Sequence, residues 1–168
     1  MSLSLHGIAV PAFVRGLKAL SALLTKAEES ATARGFDPAV LLTSRLAPDM
    51  FPLTRQVQIA SDGVKGGAAR LAGVEAPSFP DTETTFAELQ ERIAKTIAYV
   101  ESLDAAKFEG DPDRALIVKM AGQEFPFTAQ SFLFGFVLPN LYFHITTAYN
   151  ILRHNGVAVG KRDYLGGI

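Results

Sequence analysis

The segment FAELQERIAKTIAYVESL, residues 86–103, decides the fold class of this sequence. Its apolar residues recur every three or four positions, which places them on one face of an α-helix. That stripe comprises Phe86, Leu89, Ile93, Ile97, Val100 and Leu103. Glu83 and Glu88 lie near its expected start, where negative charge interacts favourably with the helix dipole. We therefore predict a long amphipathic helix that opens after Asp81 or Thr82.

Two segments before it show the same periodicity. The first predicted helix runs over about 7–34 and the second begins with Asp49 as its N-cap and ends at Gly73. Their apolar stripes comprise Val10, Phe13, Leu17, Leu20, Leu23 and Leu24 in the first and Leu53, Val57, Ala60, Val64 and Leu71 in the second. Three glycines interrupt the second helix, namely Gly63, Gly66 and Gly67. Because glycine weakens a helix interior, we expect them either to admit a close neighbour or to bend the helix.

The remaining segment contains a change of period and then a fourth helix. Residues 116–127 alternate apolar and polar side chains around a glycine, which predicts a short β-hairpin. Thr128 is expected to cap a helix that continues to about His154, followed by a basic tail. Four long amphipathic helices and one small hairpin predict an all-α fold, a four-helix bundle with a short β-hairpin before the last helix. No linker of domain size divides the chain, so residues 1–168 are expected to form a single domain.

Composition excludes several classes of protein. The 168 residues carry a formal net charge of −1, are 48% hydrophobic and contain no cysteine. A near-neutral chain lacks the basic surface of a dedicated nucleic-acid binder, and the absence of cysteine excludes thiolate metal sites and thiol catalysis. The N-terminal segment lacks the layout of a signal peptide, and the apolar stretch 132–145 is too short to span a membrane. We therefore expect a cytoplasmic protein without a membrane or nucleic-acid partner.

The polar residues of the last helix are the most informative candidates for a site. Asn140 and His144 are four residues apart and so share a helix face. If the second and fourth helices face each other, Gln56 joins them at a small cavity, and Asp49 and Tyr149 are further candidates for its lining. Two interpretations remain open. These groups are either hydrogen-bonded polar residues of the core or the lining of a ligand pocket.

The histidines do not suggest a metal centre. A pair of histidines four residues apart can bind a metal ion, but here the pair is Asn140 and His144. His154 lies about 80° away around the helix from His144 and His6 lies in another segment, so neither completes a cluster. From the sequence we predict no metal site and no cofactor.

Several motifs resemble a bacterial family known only as domain of unknown function nineteen-ninety-three. They are RLAPDMFPL at 45–53, ARLAG at 69–73 and PNLYFH at 139–144, with a further run between Thr147 and Gly166. That family is similar in turn to the DinB/YfiT-like superfamily of metalloenzymes. The resemblance implies an up-down-down-up bundle, frequent homodimers and a metal site of three histidines. It places His144 at the last ligand position, Asn140 at the one before it, and Gln58 or Ile59 near the helix-two position, so two of the three ligands are replaced.

These observations predict an uncharacterised soluble bundle protein, a homodimer that binds a small molecule or acts through its interface, without the trihistidine metal site. The expected pocket is formed by His144, Asn140, Gln56, Asp49 and Tyr149. The alternative is a DinB-like enzyme, such as one with thiol-transferase-like activity, in which His144 is a general base or retains one divalent ion with Asp49. Whether the protein is an enzyme stays open at this point.

Overall fold

The structure is a computed structural model and describes residues 4–120 and 122–166. The protein is mostly helical, with a two-stranded hairpin before the last long helix. The long helices are α1 (Leu5–Ala33), α3 (Leu53–Ala72), α4 (Phe86–Glu101) and α6 (Leu138–His154). The short elements are α2 (Ala39–Thr43), β1 (Ala115–Met120), β2 (Gln123–Thr128), α5 (Ala129–Phe132) and α7 (Lys161–Tyr164). The mainly helical class and the position of the hairpin agree with the sequence prediction.

The apolar stripes of the long helices form one core. In α3 every predicted stripe residue is buried, and in α1 the stripe is buried from Phe13 to Leu24. The stripe of α4 is buried at Phe86, Leu89, Ile93 and Val100, with Arg92 buried beside it. Helix α1 is long and apolar enough to cross a membrane by composition alone, yet its stripe packs in this core, as in a soluble domain.

The hairpin pairs β1 and β2 antiparallel, with Ala115 opposite Thr128 and Met120 opposite Gln123. Gly122 lies in the turn with a φ of 78°, a left-handed conformation that glycine adopts without strain. Val118 points into the core while its neighbour Ile117 is 64% exposed. The two faces follow from the alternation of side chains along a strand.

Two predicted helix starts are wrong. Helix α3 begins at Leu53 after Pro52, so Asp49 does not cap it and lies instead in an exposed turn. Helix α4 begins after Thr85, whose hydroxyl accepts from the N–H of Glu88 in a capping box. The capping box satisfies two backbone N–H groups at once, which outweighs a single cap at Asp81 or Thr82.

A π-helical turn, Leu133–Val137, joins α5 to α6. Thr128 caps α5 as predicted, and its hydroxyl accepts from the N–H of Ser131. In the π turn the N–H of Leu138 reaches back five residues to the carbonyl of Leu133. Pro139 follows at once and has no N–H to continue the α-helical pattern, so the wider turn occurs where that pattern is interrupted.

Candidate functional site

Close packing of α3 against α6 places the candidate residues. Three glycines of α3 were expected either to admit a close neighbour or to bend the helix. Two of them admit a side chain from α6 or from the π-helical turn that precedes it. A Cβ on Gly67 would lie 2.6 Å from Cγ1 of Val137, and a Cβ on Gly63 would lie 3.1 Å from the amide nitrogen of Asn140. Without side chains at these positions the helices approach closely, and Asn140 lies directly over the backbone of α3.

His144 and Gln56 are joined by a buried hydrogen bond. Nδ1 of His144 lies 2.7 Å from Oε1 of Gln56, and Nε2 of the same amide donates to the carbonyl of Phe51 at 2.9 Å. Because Phe51 offers only an acceptor, the Gln56 amide presents its oxygen to the imidazole. Nδ1 of His144 therefore carries the proton, and Nε2 is left with its lone pair.

The imidazole is held neutral. Burial lowers the pKa of His144 below its ordinary value of 6.5, and the positive charge of Arg55 lowers it further. Among the described residues Nε2 has no hydrogen-bond partner, and it is not one of the fully buried polar atoms that lack one. The residue as a whole is 8% exposed.

Aromatic side chains are found near the imidazole of His144. Phe143 contacts His144 edge to face, with ring centroids 5.2 Å apart. Phe143 and Phe51 are both 57% exposed, which is unusual for large apolar side chains. Arg55 extends over the ring of Phe51 at 5.9 Å. Arg55 also forms an ion pair with Asp81, so its charge is partly balanced. The site therefore combines one hydrogen-bond acceptor, exposed aromatic surface and an ion-paired guanidinium.

The other predicted site residues lie apart from this contact. Asn140 is one turn before His144 on the same face of α6, against Gly63. Tyr149 packs against Tyr164, with centroids 6.2 Å apart. Asp49 lies in the exposed turn before α3. The structure thus brings His144 and Gln56 together, and a pocket lined by all five residues stays a prediction.

A charge network centred on Arg92 is absent from the sequence prediction. Its guanidinium is 1% exposed and binds Asp62 at 2.9 Å, Asp81 at 3.0 Å and Glu83 at 2.8 Å. Burial opposes ionisation of Glu83, but hydrogen bonds from Arg92 and Gln58 outweigh it and lower the pKa of that carboxyl. The network fastens the segment between α3 and α4 to both helices.

Gln58 belongs to this network and not to the histidine site. Its amide donates to Glu83 at 2.9 Å and accepts from Arg55 at 3.2 Å. Gln56, two residues earlier, is the residue of α3 that contacts His144. The assignment of the helix-two ligand position to Gln58 or Ile59 stays a prediction, and the residue of α3 that lies against His144 is Gln56.

The residues at this site do not fit a trihistidine metal centre. Among residues 4–120 and 122–166 no group of three or more His, Cys, Asp or Glu side chains is placed to hold a metal ion. The donors near His144 are amides, and the amide oxygen of Gln56 already accepts from Nδ1. The guanidinium of Arg55 nearby, which is paired with Asp81, has no lone pair to offer a metal ion.

Comparisons with known proteins identify the class and then the family. The chain is similar to a protein of solved structure, a DinB family member from Shewanella denitrificans, with 47% sequence identity and a TM-score of 0.88. The alignment covers 98% of this chain and 93% of that one, so the fold defines a DinB-like helical protein. Residues 5–165 match the model of the domain of unknown function DUF1993, and the chain belongs to that family. No curated protein matches it.

Proposed function

We propose that this protein binds a small molecule at the α3–α6 contact, with Nε2 of His144 as the hydrogen-bond acceptor and no trihistidine metal site. The observation that carries the proposal is the hydrogen bond between Nδ1 of His144 and Gln56. It fixes the tautomer and leaves the lone pair of Nε2 free to accept a hydrogen bond. The exposed rings of Phe51 and Phe143 provide apolar surface for the rest of the ligand. The ligand class is therefore a molecule with a hydrogen-bond donor attached to an apolar ring.

Phenol and anisole form a matched pair of probes, because only phenol has a proton to donate. The test is a titration of protein labelled with ¹³C at histidine Cε1, followed by NMR. Phenol should shift the His144 signal, and anisole should bind several-fold more weakly. Followed on the ring protons of the two probes, His144→Phe should abolish the preference for phenol, while His154→Asn, at the exposed end of α6, should retain it. Equal binding of both probes, or no shift with either, contradicts the proposal.

A DinB-like enzyme is the second candidate, and the neutral state of His144 favours it. A base that is unprotonated near neutral pH and held in one tautomer can accept a proton from a bound substrate. Metal analysis of the purified protein separates the metal-dependent form of this activity from simple binding. Stoichiometric nickel or zinc that is lost in His144→Ala supports the metal-dependent enzyme and contradicts the binding proposal.

We also propose that α1, α3, α4 and α6 follow the up-down-down-up order that the resemblance implies. Pairs of contacts along each helix pair support it. Between α3 and α6, Gln56 contacts His144 and Gly67 lies against Val137. Between α1 and α6, Gly16 lies against Ile145 and Arg34 contacts Asn155. Between α3 and α4, Asp62 contacts Arg92 and Glu75 contacts Tyr99. The α3–α6 contacts support an antiparallel pair, whereas the α1–α6 and α3–α4 contacts each support a parallel pair. The connection from Gly73 to Thr85, about thirteen residues or ~43 Å when extended, exceeds the ~30 Å length of α3 and permits this crossover.

The homodimer and the cytoplasmic location remain part of the proposal. Exposed apolar side chains at Val40, Phe51 and Phe143 supply surface suited to a second copy of the chain. Light scattering of the protein and of Phe143→Ser tests this. A dimer that the substitution dissociates supports the interface at this surface, and a monomer in both cases contradicts it.

A further inference from the structure

A second groove lies between α1 and α6, away from the His144 contact. This α1–α6 groove has a volume of about 500 Å³, and Tyr164 and Leu165 of the C-terminal segment form part of its lining. Its floor is formed where Gly16 meets Ile145, since a Cβ on Gly16 would lie 3.0 Å from Cδ1 of that side chain. Ala12 adds little bulk, so the groove stays open. Its volume falls within the range of small-molecule sites, roughly 300–1,000 Å³.

The groove has a cation at its rim. Arg15 is exposed, and among the described residues its one hydrogen bond is from Nη2 to the carbonyl of Leu165 at 3.2 Å. A guanidinium has five N–H donors, so most remain free for a ligand. Lys18 lies next along α1, beside an adjoining groove of about 460 Å³.

The nearby carboxylate does not neutralise Arg15. Asp163 accepts from Lys26 at 2.7 Å and from the N–H of Gly160 at 2.8 Å. These bonds, led by the one from Lys26, lower the pKa of Asp163 and keep it ionised within its own ion pair. Arg15 therefore gives the rim of the α1–α6 groove a positive charge, with Lys18 in the adjoining groove, while the walls beneath Arg15 are mostly apolar.

We propose that the α1–α6 groove binds a small amphipathic carboxylate. Its carboxylate pairs with the guanidinium of Arg15, for which two parallel hydrogen bonds are the favoured geometry. Its apolar part lies along Ala12 and Ile145, beside the ring of Tyr142, which is 44% exposed. This site shares no residue with the His144 contact, so the two proposals stand or fall separately.

Decanoate, used below its micellar concentration, is the probe, and decanol is its uncharged counterpart. Binding is followed by methyl NMR at Cδ1 of Ile145. We expect decanoate to shift this signal with saturation, and decanol to bind about tenfold or more weakly because it lacks the charge-assisted bonds. Equal affinities, or no saturable shift with decanoate, would overturn the proposal.

Substitutions locate the site. Arg15→Gln should weaken decanoate binding about tenfold or more and leave decanol unchanged. Arg45→Gln is the matched control, since Arg45 is also an exposed arginine whose hydrogen bonds go only to backbone carbonyls. Ala12→Phe should block both probes, and Ala12→Leu replaces it if the larger side chain prevents folding. His144→Phe should leave decanoate binding intact.

Two further results would overturn the assignment of the α1–α6 groove to a carboxylate. If Arg45→Gln weakens decanoate binding as much as Arg15→Gln does, the carboxylate is held by the general surface charge, and the proposal fails. If sedimentation shows a dimer that Ala12→Phe dissociates and that excludes decanoate, the groove is covered by a second copy of the chain. That result also overturns the proposal.

Discussion

Alanine substitutions at Gly66 and Gly67 are expected to change stability in opposite directions. The two glycines are neighbours in the same helix, so either substitution gains up to about 1 kcal/mol of helix propensity. At Gly66 a Cβ would meet only Nη1 of Arg70, at 3.0 Å, the far end of a flexible side chain. We therefore expect Gly66→Ala to stabilise the protein by about 0.5–1 kcal/mol.

At Gly67 the same methyl group enters the α3–α6 contact. It would lie 2.6 Å from Cγ1 and 3.1 Å from Cγ2 of Val137. Valine is restricted at χ1 and cannot turn aside, so the helices must separate. Overpacking of this kind costs about 1–3 kcal/mol. The 2.6 Å approach puts the cost in the upper half of that range, about 2–3 kcal/mol, so after a gain of about 1 kcal/mol in propensity Gly67→Ala should lose about 1–2 kcal/mol of unfolding free energy.

Urea denaturation and thermal melting measure both effects. At 2–4 °C per kcal/mol for a domain of this size, Gly67→Ala should lower Tm by about 2–8 °C, and Gly66→Ala should raise it by about 1–4 °C. In a double-mutant cycle, Val137→Ala removes both clashing methyl groups, so most of the cost of Gly67→Ala should vanish in that background. Equal stabilisation by both glycine substitutions would refute the close approach of α3 to the π-helical turn.

Further substitutions test the charge network of Arg92 and the hydrogen bond between Gln56 and His144. Arg92→Met should cost about 2–4 kcal/mol in urea denaturation because Glu83 loses its buried partner. The control Lys95→Met removes an exposed ion pair and should cost less than about 0.5 kcal/mol. Similar losses in the two variants would contradict the buried network. Gln56→Leu should cost about 1–3 kcal/mol because the Nδ1–H donor of His144 is left buried without an acceptor, and a neutral result would argue against that bond. Since the folded state lowers the pKa of His144, the unfolded state binds more protons below pH 6.5, and stability should fall as pH drops from there towards the folded pKa. Urea midpoints measured across that range should show a smaller decline in His144→Gln than in the parent protein, and equal slopes would contradict the neutral imidazole.

The helices were predictable from local periodicity, while two of their ends were not. Burial of a stripe such as Phe86 to Val100 depends only on spacing, so the sequence indicates it directly. The sequence does contain a signal for the start of α4, because Thr85 and Glu88 have the spacing of a capping box. The prediction placed the start earlier because Asp81 and Thr82 are also residue types that commonly cap helices. The prediction that Asp49 caps α3 was wrong for another reason. Pro52 follows Asp49, and α3 begins only after that proline.

The charge network could not be read from spacing, because its members come from different segments. Asp62 is on α3, Asp81 and Glu83 lie in the connection, and Arg92 is on α4. The one local signal is the position of Arg92 three residues after Leu89, on the buried face of its helix. A buried arginine requires acidic partners, but only the packing of α3 against α4 determines which carboxylates supply them.

The contact between His144 and Gln56 admits several uses, and its surroundings decide among them. A histidine whose Nδ1–H is bound to an amide oxygen presents Nε2 in a fixed direction, which suits a metal ligand, a general base or a simple acceptor equally well. A transition metal needs further electron-pair donors, but the neighbouring groups are the cation of Arg55 and the rings of Phe51 and Phe143. The guanidinium of Arg55 is paired with Asp81 and has no lone pair for a metal ion, and the exposed rings favour a ligand with an apolar body. The hydrogen bond to Gln56 therefore fixes the orientation of the imidazole, and the groups around it favour a neutral ligand over a metal ion.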